Sequence, residues 1–152
     1  MTDRYFVDTN VLVYARDSSE PQKHALAVEW IHTLWSQGSG RLSFQVLQEY
    51  YQVVTRRLSP GLDPEMARAD IRDLLTWQPV QIDSAVLEAA WSIEKRFGLS
   101  WWDALIVGAA GCADCRYLLS EDLQHGQDLN GIIVLNPFET DRPLSASPLS
   151  VP

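Results

Sequence analysis

The chain has 152 residues, 46% of them hydrophobic, enough to bury a sizeable core and most simply read as one domain. Its net charge of −8, with only Arg56-Arg57 and Lys95-Arg96 as paired cations, argues against a simple nucleic-acid binder, which usually presents a basic face. No apolar run reaches the roughly eighteen residues of a membrane span, and Met1-Thr2-Asp3-Arg4-Tyr5 lacks a signal-peptide pattern, so a cytoplasmic protein without membrane contact is expected.

In chain order, Tyr5 to Val7 reads as a short buried strand, and Asp8 can cap a helix opening at Asn10-Val11-Leu12-Val13-Tyr14. After the polar break Asp17-Ser18-Ser19-Glu20-Pro21, a helix is expected from about Gln22 to Gln37. Its apolar positions Ala27, Val28, Ile31, Leu34 and Trp35 fall at helical spacing, and Gly38-Ser39-Gly40 ends it. Arg41 to Ser43 is a minimal strand. A second long helix follows from Phe44 to Leu58, broken by Pro60-Gly61, and Pro64 suits the first turn of a third helix running to about Thr76.

Val80 to Ile82 is the next strand candidate, and Asp83 or Ser84 caps a helix that ends near Phe97-Gly98. Ser100 starts another, from Trp101 to about Ala113. Arg116 to Leu119 and Ile132 to Leu135 are the last strands, joined by a polar connection. Strands alternating with helices predict an α/β fold with a mostly parallel sheet covered on both faces. The tail carries four prolines from Pro137 onward, so a domain over 1–137 and a disordered segment over 138–152 are expected. Cys112 and Cys115 form a C-x-x-C without a second ligand pair and read as small core or helix-end residues.

Two acids stand where strands end: Asp8 after Tyr5-Phe6-Val7 and Asp122 after Tyr117-Leu118-Leu119. The carboxyl ends of the strands of an open α/β sheet are where ligands bind, so acids delivered there from distant parts of the chain point to one shared site. Glu49 lies in the second long helix, beside Gln45 and Gln52 at the border of an apolar stripe, where it can reach the mouth of the sheet. Asp103 heads a very apolar helix, although Ser100-Trp101-Trp102-Asp103 also has the spacing of a capping box. Glu121 competes with Asp122, because adjacent side chains leaving a strand point opposite ways and spacing cannot choose between them. Crowded carboxylates repel unless a proton or hard cation sits between them, which points to a magnesium-type centre.

Phe6-Val7-Asp8-Thr9-Asn10, Gln48-Glu49-Tyr50-Tyr51, Trp102-Asp103-Ala104 and Leu119-Ser120-Glu121-Asp122-Leu123-Gln124-His125-Gly126 together resemble the PIN-domain nucleases, and most nearly the VapC-like toxins of bacterial toxin–antitoxin modules. The resemblance runs from about Tyr5 to Pro137. It implies a three-layer fold with a mostly parallel central sheet flanked by helices, and metal-dependent endoribonuclease activity with one or two Mg²⁺ or Mn²⁺ ions. Carried over by residue, it implies that Asp8, Glu49, Asp103 and Asp122 form the metal-binding and catalytic quartet, that Asp122 rather than Glu121 serves, and that Thr9, Asn10 and Ser120 are supporting polar groups. It also implies an RNA substrate, a homodimer, and a small cognate antitoxin that lies near Tyr50, Tyr51 and the Trp101-Trp102 edge and reaches the quartet with a basic side chain.

The sequence also admits two rival readings. A phosphatase using Asp8 as nucleophile would want an acid where Asn10 stands, and a receiver-type module would want a lysine after a late strand, yet the lysines are Lys23 and Lys95. A catalytically idle PIN-like module would only sequester RNA or a partner. His125 reads as structural or exposed, and His24 and His32 as solvated surface residues.

Overall fold

Tyr5–Val7 (β1) is buried at every position, as expected of a parallel strand covered on both faces. In the computed structural model, which describes residues 2–139, β1 pairs in parallel with Gly40–Arg41 (β2) on one side and Tyr117–Leu119 (β3) on the other. Ile132–Leu135 (β5) continues the parallel sheet beyond β3, and Asp128–Leu129 (β4) closes the edge antiparallel to it. The order β2-β1-β3-β5-β4 makes a five-stranded, mostly parallel α/β sheet, and helices flank it. The carboxyl ends of β1 and β3 therefore lie side by side.

The helices are Thr9–Tyr14 (α1), Pro21–Gln37 (α2), Phe44–Arg56 (α3), Pro64–Leu74 (α4), Ser84–Phe97 (α5) and Trp101–Cys112 (α6). Their ends follow local chemistry. Asp83 caps α5 by accepting from the Val86 N–H, and Gly98 ends it at φ 67°, a left-handed conformation that a side chain disfavours. Helix α6 is apolar nearly all round and buried from Ala104 to Ala110, as such a helix must be. It packs closely on α5: a Cβ at Gly108 would stand 3.0 Å from the Ala90 nitrogen and 3.2 Å from the Val86 carbonyl oxygen. The absent side chain lets the two backbones meet.

Several expectations shift in the structure. Val80 to Ile82 forms no strand: Val80 makes one parallel bridge to Ser43, because Pro79 before it has no N–H and Asp83 is already committed to capping. Ser43 likewise leaves the expected strand to cap α3 by accepting from the Val46 N–H. Helix α3 stops at Arg56, and α4 stops at Leu74 and gives way to a 3-10 turn, Leu75–Trp77. The connection before β5 contains β4, joined to β5 by Asn130-Gly131, both at positive φ, in the two-residue turn that suits the twist of a hairpin.

His24 is half-buried, its Nδ1 2.8 Å from the Tyr14 carbonyl oxygen, and so is not a solvated residue; His32 is exposed. Cys112 and Cys115 are free thiols, exposed and buried respectively, and burial pushes Cys115 up to about 12. Of the segment expected to be disordered, Phe138 packs edge-on against Tyr14 at 5.0 Å, and residues 140–152 lie outside the described residues.

Candidate metal centre

Asp8 sits at the junction of β1 and α1, only 5% exposed. One carboxylate oxygen accepts from the Thr9 N–H at 2.7 Å. The other accepts from the Ser120 hydroxyl at 2.8 Å and from the Asn10 amide at 3.4 Å. Ser120 follows β3 directly, so the parallel pairing of β1 and β3 is what brings it to Asp8. The capping position and the shared-site position of Asp8 are one and the same.

Asp122 leaves the same strand end. Its N–H donates to the Ser120 hydroxyl at 3.1 Å, and its carboxylate accepts from the Asn10 amide at 3.0 Å. Asn10 thus spans Asp8 and Asp122. Glu121 faces the other way and accepts from Lys23 Nζ at 2.9 Å. Glu49, exposed on α3, is held from two sides: Thr9 Oγ1 donates to it at 3.1 Å and Gln45 Nε2 at 2.9 Å. Asp103 enters from the first turn of α6, where the Ser100 hydroxyl accepts from the Asp103 N–H at 3.2 Å. That is the first arm of the anticipated capping box.

The electrostatics tie the four acids together. Burial pushes Asp8 from its ordinary 3.8 up to about 7; bonds from Ser120 and Thr9 pull it back, and the charges of Asp122 and Glu49 add to the rise. Asp103 is also raised, first by burial, against the pull of Ser100, and then by the charges of Asp122 and Glu49. Among the described residues no three His, Cys, Asp or Glu side chains are already drawn in around one point. Asn10, Thr9 and Gln45 instead hold Asp122, Asp8 and Glu49 through their own N–H and O–H groups. The donor set nonetheless fits a hard divalent cation: every candidate ligand is a carboxylate oxygen, and a cation would offset the charge that burial and repulsion disfavour on Asp8.

In the sequence Gln45 stands out only as a neighbour of Glu49. Its place one helical turn before Glu49 is the signal that identifies it as the group that aims that carboxylate. Tyr50, expected near a partner surface, is 2% exposed and donates its hydroxyl to Asp70, so burial removes it from any docking face. Trp101 is half-buried against Trp91, with ring centroids 6.4 Å apart. His125 Nδ1 accepts from the Asn136 N–H at 3.0 Å and is taken up in its loop.

The orientation of the two neighbouring acids makes a measurable difference. Asp122→Asn is expected to weaken calorimetric binding of Mg²⁺ or Mn²⁺ by about 10-fold or more, and Glu121→Gln to change it less than about 2-fold because Lys23 holds that side chain on the other side. Equal losses in the two variants would show that both acids share the site.

A mostly parallel sheet with acids at the carboxyl ends of β1 and β3 defines a protein of the α/β class. Residues 5–127 match the family model of the PIN domain, and the chain belongs to that family. No curated protein matches the chain by sequence. Solved structures agree on the fold. A toxin–antitoxin complex from Klebsiella pneumoniae is similar at a TM-score of 0.63 and 16% identity, over 90% of this chain and 99% of that one. The toxin VapC20 of Mycobacterium tuberculosis, described as cleaving the sarcin–ricin loop, is similar at a TM-score of 0.60 and 22% identity, over 78% of this chain and 91% of that one. DNA-bound VapBC from Salmonella typhimurium is similar at a TM-score of 0.62 and 17% identity, over 90% of this chain and 99% of that one.

Proposed function

We propose that this protein is a divalent-metal-dependent endoribonuclease and the toxin of a toxin–antitoxin pair. The observation that carries this reading is the link of Asp8, Asp122 and Glu49 through Asn10 and Thr9 at the carboxyl ends of β1 and β3, with Asp103 feeling the charges of Asp122 and Glu49. Membership in the PIN family and the toxins among proteins of similar fold support it.

Hydrolysis of a phosphodiester adds a water oxygen to phosphorus, breaks the bond to the leaving oxygen, and builds negative charge on both. When bound, Mg²⁺ or Mn²⁺ supplies acidity to water and positive charge to the phosphate oxygens. The four acids would hold one or two such ions, some through water, since Mg²⁺ keeps several waters and takes few protein ligands. Ser120 and the Thr9 N–H fix the buried Asp8 carboxylate, while Thr9 Oγ1 and Gln45 aim Glu49. Asp8 is buried whereas Glu49 and Asp122 are exposed, which leaves the cluster open to a polymer on one side.

The partner that fits this reading is a small cognate antitoxin with a basic segment, as the similar toxin–antitoxin complexes suggest. An arginine matches crowded carboxylates with its planar fork, and the toxin's −8 charge speeds the encounter. A homodimer and a cytoplasmic setting belong to the same proposal, and among the described residues no helix is long and apolar enough to cross a membrane. The test is RNA cleavage by the purified chain in Mg²⁺ or Mn²⁺, which EDTA and the co-expressed product of an adjacent short reading frame should each abolish. Cleavage undiminished by EDTA would remove the metal from the mechanism, and no cleavage in either ion would leave an idle binding module.

A further inference from the structure

Beside Glu49 a groove of about 830 Å³ runs along α3 toward α6, and its chemistry differs from that of the acid cluster. Gln45, Gln48, Gln52 and Arg57 line it together with Trp102, the apolar Val53, Ile82 and Leu105 complete the lining, and Glu49 is its carboxylate. Trp102 is 65% exposed, more than the other exposed aromatics Trp91, Trp35 and Phe44 at 50%, 39% and 36%. It lines the same groove as Glu49, so its ring lies along the approach to that acid.

Two further groups line the groove with chemistry a nucleotide can meet. Arg57, at the C-cap of α3, is exposed and, like most cations among the described residues, has no ion-pair partner, so its guanidinium is available to an anion. Gln45 is 8% exposed; its amide nitrogen is committed to Glu49, and its carbonyl oxygen is shut off from water with no hydrogen-bond partner. Exchanging the two ends of that amide would set oxygen against the Glu49 carboxylate, so the unpaired acceptor is a consequence of aiming Glu49.

We propose that this groove is a nucleobase subsite for the nucleotide next to the scissile phosphodiester. This rests on the ribonuclease reading and adds to it what the enzyme grips. The base stacks on the exposed face of Trp102, the exposed Gln48 and Gln52 amides meet its polar edge, and Arg57 pairs with a neighbouring phosphate. Stacking of this kind requires an unpaired base, so the substrate is single-stranded or looped RNA. Amides can both donate and accept, which gives the groove a means of preferring one base.

The test compares wild type with Trp102→Ala, Trp102→Phe, Gln52→Leu and Arg57→Gln on short single-stranded RNAs that vary in the nucleotides flanking the cut. Trp102→Ala is expected to raise KM about 10-fold or more, with a much smaller change in kcat, and Trp102→Phe to recover most of that loss. Gln52→Leu should shift the base preference at the cut, and Arg57→Gln should weaken binding alike for all sequences and flatten its dependence on salt. Unchanged KM and unchanged preference in Trp102→Ala overturn the subsite. Sedimentation separates the protein alternative: if Trp102→Ala turns a dimer into a monomer while KM for RNA stays the same, the groove holds a second copy and the proposal fails. Should wild type cleave no RNA at all, the nuclease reading fails instead. The subsite is then judged alone, by anisotropy with a labelled 2′-O-methyl oligonucleotide, where equal affinity of wild type and Trp102→Ala overturns it.

Discussion

Asp8→Asn is expected to lower Mg²⁺-dependent RNA cleavage at least about 100-fold, because even groups one bond removed from a metal typically cost 10–100-fold when lost. The same variant, freed of metal, should be as stable as wild type at pH 8 or more so. The sign follows from the direction of the perturbation. Asp8 is raised from 3.8 to about 7, so the folded protein holds that proton more tightly than the unfolded chain. The stability associated with it is fully present below about 3.8 and is lost as pH rises through about 7. A displacement of that size, fully realised, is worth about 4 kcal/mol. Asparagine gives up one acceptor oxygen for Ser120, Asn10 or Thr9, at roughly 1–2 kcal/mol, which leaves a net gain on the order of 2 kcal/mol above pH 7.

Thermal melts of both proteins in EDTA from pH 4 to pH 8 would show the difference opening across that range. A variant that melts well below wild type at pH 8 would mean that the hydrogen bonds of Asp8 outweigh its repulsion. Wild-type cleavage by Asp8→Asn in Mg²⁺ would falsify the assignment of the site. Asp103→Asn should lose activity similarly yet keep its helix content, since the Ser100 hydroxyl caps α6 through the backbone N–H of residue 103.

Asp70→Ala is expected to produce the largest loss of stability. Asp70 on α4 accepts from Arg16 Nε and Nη2, at 2.9 and 2.6 Å, and also from the hydroxyl of Tyr50 on α3. The variant strands a buried phenol, and burial and the Asp70 charge already hold the Tyr50 hydroxyl well above its ordinary range. Arg16 remains partly in water and contributes less. A loss of about 2–3 kcal/mol follows, lowering Tm by roughly 5–10 °C for a domain of this size. Tyr50→Phe should cost about 1 kcal/mol, since Asp70 keeps Arg16. A function-level effect accompanies it: α3 also carries Glu49, so loosening its seat on α4 should slow cleavage below the melting range. Unchanged melting of Asp70→Ala would show that the three groups are as well served by water.

Much of this was readable locally. Asp83 and Gly98 bound α5 where a capping oxygen and a left-handed glycine are required, and the apolar run after Trp101 could only be a buried helix. Asn130-Gly131 was an available hairpin signal in a connection read as merely polar. The acids at the ends of Tyr5–Val7 and Tyr117–Leu119 could be placed at the sheet's mouth because a strand ending in a short polar side chain has one place to end in such a sheet.

Other features depend on which strands become neighbours. The pairing of β1 with β3 puts Ser120 on Asp8 and lets Asn10 span Asp8 and Asp122, and the packing of α2 gives Lys23 to Glu121 and turns that acid away. The Arg16–Asp70–Tyr50 network and the unpaired carbonyl of Gln45 likewise have no sequence signature. Backbone preference and hydrophobic period act over a few residues, so the sequence by itself determined the helices, the strand ends and the acids that stand at them. The direction each carboxylate faces, and the donor it meets, is set by side chains from distant segments, and only the tertiary structure decided it.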